Sequence, residues 1–186
     1  MAYLALACRC LIGLVFAVSA FSKLRNRSAF REFTSWLAGL PVPLARSRPG
    51  PVATAMAVAE VAIVVLSGLP WTAGAAQVLA ALVLAVLTTG TWLAVARGAG
   101  TPCQCFGVSA TPLGLRHVVR NALLCAAAVA GAAAAGAGGG RPAGLVVSLA
   151  IGLTIALFVV FLDDLAALFS GSGDASPGLA PGDSRS

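Results

Sequence analysis

Charge is what this chain of 186 residues has least of: Asp, Glu, Lys and Arg make up 10% of it, against 59% apolar residues. A water-soluble domain carries roughly a quarter charged residues. The scarcity excludes a soluble globular enzyme and describes a chain solvated by lipid, as does a mean hydropathy of +0.96. Acidic residues are the rarer sign, six against twelve basic ones. The basic excess does not describe a nucleic-acid surface, because it gathers in residues 23–48 and 97–120. Those stretches connect apolar runs, where positive charge bears on topology. Histidine occurs once, as His117, while a zinc site wants about four ligands, so no bound metal is expected. A basic lead-in is missing too. The first apolar run starts almost at Met1 and ends in Ser22-Lys23-Leu24-Arg25, which reads as a stop-transfer flank rather than a separate signal peptide. Aromatics are sparse, and Tyr3, Trp36, Trp71 and Trp92 fall near the ends of apolar runs, as membrane-interface anchors do.

What is there is a series of long apolar runs: residues 3–21, 52–69, 71–96, 113–135 and 143–162. Runs of about 18 or more read as spans. Between the first two, residues 27–40 carry Phe30, Phe33, Trp36, Leu37 and Leu40 on one helical face, with Arg31 and Glu32 off it. That pattern predicts a short amphipathic helix lying in the interface. Pro41, Pro43, Pro49 and Pro51 punctuate the way into the second run, and Leu69-Pro70-Trp71 makes a tight uncharged hairpin to the third. Small residues, densest at 126–135, let helices approach closely in lipid. The fold expected is an all-α membrane protein, a compact bundle of about four to five transmembrane helices with one short interfacial helix. Residues 1–140 read as a four-helix membrane domain, 141–170 as an additional C-terminal transmembrane helix, and 171–186 as a disordered tail rich in Gly, Ser, Pro and Asp. Positive-inside counting puts residues 23–50 and 97–112 in the cytoplasm, whereas disulfide chemistry belongs to the exoplasmic side. Both orientations of the second connection stand.

That second connection holds Cys103-Gln104-Cys105-Phe106-Gly107, opened by Gly100-Thr101-Pro102. Two thiols one residue apart close only as a tight ring, and a disulfide outside the relaxed geometry is easier to reduce. Three readings follow: a redox-active dithiol that exchanges disulfides with a partner, a static disulfide that pins the connection, or half of a metal site with His117 alone at hand. For the first, Arg97, Arg116 and His117 are the cations near enough in sequence to favour a thiolate. Charges also fall inside the spans. Glu60 lies about 12 Å and Arg120 about 10 Å below one surface, and Arg9 about 9 Å below the other. An ionisable group at membrane depth is a functional candidate with a partner expected. The matching depths suggest a Glu60–Arg120 pair, with Asn121 beside it. Such a polar centre either handles protons or a quinone head group, or fixes helix register. Cys8, Cys10 and Cys125 sit at similar depth far from Cys103, and read as packing residues.

Several of these segments together resemble the methylamine-utilisation MauE family, part of the DoxX-like small membrane proteins. The resemblance runs from Arg9 to Leu124. It rests on Arg9-Cys10-Leu11-Ile12-Gly13-Leu14-Val15-Phe16, Ser22-Lys23-Leu24, the Pro51 to Glu60 entry into the second span, Cys103-Gln104-Cys105-Phe106-Gly107 and Arg120-Asn121-Ala122-Leu123-Leu124. It implies a multi-pass protein of the bacterial plasma membrane that supports disulfide formation or electron delivery for a secreted client, beside a thioredoxin-like protein. Cys103 and Cys105 would be its redox pair, and Arg9, Lys23, Glu60 and Arg120 its polar framework, with a quinone as possible cofactor. The competing reading is a non-catalytic assembly or scaffold subunit in which the cysteines only staple the connection.

Overall fold

Runs of Ala, Leu and Val without interior proline leave the backbone one way to satisfy its own hydrogen bonds in lipid, the helix. The computed structural model describes residues 1–39, 42–96, 115–136 and 142–170, with side chains at 142, 143, 145 and 161–170 left out of the description. Among the described residues there is no strand. The elements are α1 (Ala2–Leu24), α2 (Arg27–Gly39), α3 (Pro43–Ser47), α4 (Pro49–Gly68), a 3-10 turn (Pro70–Thr72), α5 (Ala73–Ala96), α6 (Leu115–Ala133) and α7 (Pro142–Ser170). Cys103, Cys105 and Arg97 lie outside the described residues, as does the stretch 171–186 read as a tail.

Each boundary has a local cause. The Asn26 carboxamide accepts from the Ala29 backbone N–H at 2.7 Å, an N-cap that restarts the chain as α2 two residues after α1 ends. Pro43 and Pro49 stand at the first turn of α3 and α4, where a missing N–H costs nothing. The α4–α5 hairpin turns at Pro70. There Thr72 Oγ1 donates to Leu66 O at 2.7 Å, a carbonyl that also accepts the Leu69 backbone N–H at 3.3 Å, so the helix end is tied to the turn that follows it. Hydroxyls within the helices bond back to the carbonyl four residues earlier: Thr88 to Leu84, Thr91 to Leu87 and Thr154 to Ala150. None of these needs water.

The helices α1, α4, α5 and α6 close a ring, each touching the next, and α7 lies against α1. The core joins Ile12, Val15 and Phe16 of α1 to Ile63, Leu84, Leu124 and Ala156. The burial pattern is inverted relative to a water-soluble protein. Lys23, Glu60, Gln77, His117, Arg120 and Asn121 are buried, while Val58, Leu82, Val86, Leu123 and Val146 are exposed. That is the distribution of a protein whose outer solvent is hydrocarbon. Among the described residues, three helical stretches are long and apolar enough to cross a membrane: α1, α4, and the turn plus α5 from Pro70 to Ala96. The first turns of α6 carry Arg116, His117, Arg120 and Asn121, which lower its hydropathy. α7 contributes a shorter apolar stretch, Val146–Val160.

α2 is the amphipathic helix expected between the first two apolar runs, and its apolar face is packed against the bundle. Phe33 and Leu37 are buried against Ala45 and Ala53, with Phe30, Trp36, Val52 and Met56 around them. Its apolar face is therefore covered by α3 and α4.

In hydrocarbon, apolar burial gives helices no net drive to associate, so close fit must supply it. α7 achieves this with small residues four apart. Gly144, Ser148, Gly152 and Ala156 form one ridge, and at Gly152 an added methyl would lie 2.7 Å from the Ala7 carbonyl oxygen and 3.0 Å from Cys10 Cβ. Gly152→Val is expected to push α7 off α1 and cost about 1–3 kcal/mol, seen as a lower Tm in detergent and faster proteolysis within 142–170. Gly90→Ala, where a methyl would meet nothing within 4 Å, is expected to leave Tm unchanged or raise it slightly.

Candidate functional site

Ser19 and Lys23 stand four apart on α1, hence on one face, and that face meets Glu60 near the middle of α4. Lys23 Nζ donates to Glu60 Oε1 at 2.6 Å and to Ser19 Oγ at 2.7 Å, and Ser19 Oγ donates to the same carboxylate oxygen at 3.1 Å. The Lys23 and Glu60 side chains are 4% and 1% exposed, so neither charge is hydrated. Lys23 closes the last turn of α1, where a cation also faces the negative end of the helix dipole. From above, α2 lays Phe33 over the ammonium, 4.9 Å from Nζ to the ring centroid. A desolvated cation–π contact of this kind is worth up to about 2 kcal/mol. Phe33 is itself stacked on Trp36, with centroids 6.0 Å apart.

A cavity of about 20 Å3 lies between these groups, lined among others by Ser19, Lys23, Phe33, Trp36, Glu60 and Asn121. It has room for about one water molecule. Glu60 Oε2 and Asn121 Nδ2 have no hydrogen-bond partner among the described residues. Ligand sites for small organic molecules run from about 300 Å3, and this cavity is far smaller than that. What the arrangement can do is hold a proton between a lysine, a carboxylate and a hydroxyl away from water, and lock α1 to α4.

The residues picked out from sequence divide into two groups. Lys23, Glu60 and Asn121 share the cavity, and Arg120 and His117 are buried on the same end of α6. Glu60 takes Lys23 as its ion-pair partner, not Arg120. Equal depth along two helices does not make their faces meet, and a lysine at a helix end reaches back inward on its four-carbon stem. Arg9 does not join this cluster. Its Nε donates to Ser67 O at 2.5 Å, at the C-terminal turn of α4, where an orphan carbonyl needs a donor. Arg116 is exposed. Cys8, Cys10 and Cys125 are free thiols. Cys125 Sγ donates to Ala81 O at 3.5 Å, while Cys8 packs beside Gly131 and Cys10 beside Gly152, so the three do not meet.

Sequence reasoning passed over Ser19, Ser67 and Gln77. The Gln77 amide is 2% exposed in α5, packed on Gly131. Ser19 was findable as a hydroxyl one turn before a lysine, and Gln77 as an amide inside an apolar helix.

An apolar exterior, a polar interior and three helices of spanning length define a helical, multi-pass membrane protein. The family model described as methylamine utilisation protein MauE matches residues 1–134, from α1 to the end of α6, and the chain belongs to that family. No curated protein and no solved structure matches it.

Removing one member of a buried pair strands the other charge. Lys23→Met is expected to destabilise the bundle by about 3–5 kcal/mol, whereas Lys23→Met with Glu60→Leu is expected to recover most of that loss. Unfolding curves of the two singles and the double in one detergent measure the coupling.

Proposed function

We propose that α1, α4, α5, α6 and α7 all cross a bacterial plasma membrane, and that this bundle presents Cys103 and Cys105 as a dithiol that exchanges disulfides with a thioredoxin-like partner. The outcome is maturation of a secreted client. The observation that carries the reading is that Asn121 of α6 shares a cavity with Lys23 and Glu60. The start of α6 and the end of α1 therefore belong to one polar end of the bundle. The connection bearing Cys103 and Cys105 joins Ala96 of α5 to Leu115 of α6, so it is tethered to that end. Membership of the MauE family supports the same class of function, and the family's description attaches it to methylamine utilisation.

In the oxidising direction a client thiolate attacks the Cys103–Cys105 disulfide and forms a mixed disulfide. The client's second thiolate then attacks its own sulfur in that bond. The client disulfide forms, and the dithiol leaves with two electrons and two protons. It regains its disulfide by giving those electrons and protons to the disulfide of the thioredoxin-like partner. The buried pair serves by holding α1, α2 and α4 in register at that end of the bundle. The second reading is a scaffold subunit in which a static disulfide pins the connection.

Mass-tag labelling decides between them, in membranes from a variant with Cys8, Cys10 and Cys125 replaced by Ala. The exchange reading expects Cys103 and Cys105 to shift by two tags when cells pass from oxidising to reducing conditions, and Cys105→Ser to accumulate a mixed disulfide. One fixed oxidation state under both conditions, with client maturation intact after both cysteines are replaced, contradicts it.

A further inference from the structure

At the opposite end of the bundle from Glu60, an open groove of about 590 Å3 runs between α1, α4 and α7. Its walls are apolar, with Leu14, Val64, Leu149 and Leu153 among them, and its polar groups include Arg9 and Ser67. Leu149 and Leu153 are 45% and 50% exposed, so the groove opens outward to where hydrocarbon lies. Among the described residues Arg9 bonds protein through Nε alone, to Ser67 O. Among the described residues its terminal guanidinium nitrogens make no hydrogen bond or ion pair. Ser67 is 9% exposed and lies across from Gly13, and its Oγ has no hydrogen-bond partner among the described residues. Not one of the residues lining the groove is acidic.

We propose that this groove binds an anionic phospholipid, with the phosphodiester on the free edge of Arg9 and the Ser67 hydroxyl, and an acyl chain along the leucines and Val64. Height fits: Ser67 is one residue from the end of α4, so the guanidinium stands level with the end of that helix, where a headgroup would lie if α4 crosses the bilayer. Charge fits as well. A guanidinium in an apolar groove needs an anion, and its planar fork matches a phosphate with two parallel bonds. A neutral quinone carbonyl accepts a hydrogen bond but leaves the positive charge uncompensated. The volume lies within the range of small-molecule sites. The lipid would bridge α7 to α1 and α4, adding to the ridge at Gly152.

The test is native mass spectrometry of the full chain, purified in mild detergent and incubated with phosphatidylglycerol, phosphatidylcholine or decylubiquinone. Phosphatidylglycerol is expected to be retained at least about tenfold more than phosphatidylcholine. Arg9→Gln is expected to abolish that preference, and Arg9→Lys to keep part of it. Because Arg9 also caps α4, Leu153→Trp supplies a second variant. It fills the groove without touching Arg9, and is expected to lower phosphatidylglycerol retention. Equal retention of the two phospholipids, unchanged retention in both Arg9→Gln and Leu153→Trp, or preferential capture of decylubiquinone overturns the proposal.

Discussion

A lysine and a glutamate pair with each other where neither can reach water, and the rest of the bundle is arranged around that fact. The Lys23–Glu60 contact of 2.6 Å costs desolvation of two ions, which their attraction repays only with good geometry and further hydrogen bonds. Ser19 supplies one such bond from the same face of α1. Phe33 supplies the roof, so α2 has a defined place instead of drifting along the interface. The pair therefore ties together α1, α2 and α4.

The same rule of satisfaction in lipid explains the opposite end. Two carbonyls at the end of α4, of Leu66 and Ser67, accept from the Thr72 hydroxyl and from Arg9. Helix–helix contact then rests on shape. Gly152 admits the α1 backbone, and Gly131 admits Cys8 and Gln77. Two of the places where this chain carries charge inside its helices are the single-water cavity at Lys23 and Glu60 and the outward-opening groove at Arg9.

Much of this was legible in the sequence, because length and periodicity report directly on helices in lipid. The amphipathic segment read as 27–40 is α2, and the hairpin at Pro70 stands where the uncharged turn required it. α3 was hidden because prolines read as breaks, whereas Pro43 opens a helix. Lys23 looked like a flanking charge from its place after the last apolar residue, and only its likeness to the family set it among the polar residues. Which helix faces meet is a tertiary fact that depth cannot supply, so Glu60 was matched with Arg120. Arg9 was grouped with Glu60 for the same reason. For Cys103 and Cys105 the sequence and the family are the guide, since they lie outside the described residues.

The chain contains one lysine, which makes its central interaction separately observable. Solid-state NMR on protein in bilayers, with 15N in lysine and 13C in the glutamate carboxyl groups, reads a single side-chain nitrogen. A strong dipolar coupling from Lys23 Nζ to the Glu60 carboxyl carbon, with the ammonium protected from exchange with bulk water, is the predicted result. An ammonium in rapid exchange with water and without that coupling would contradict the account.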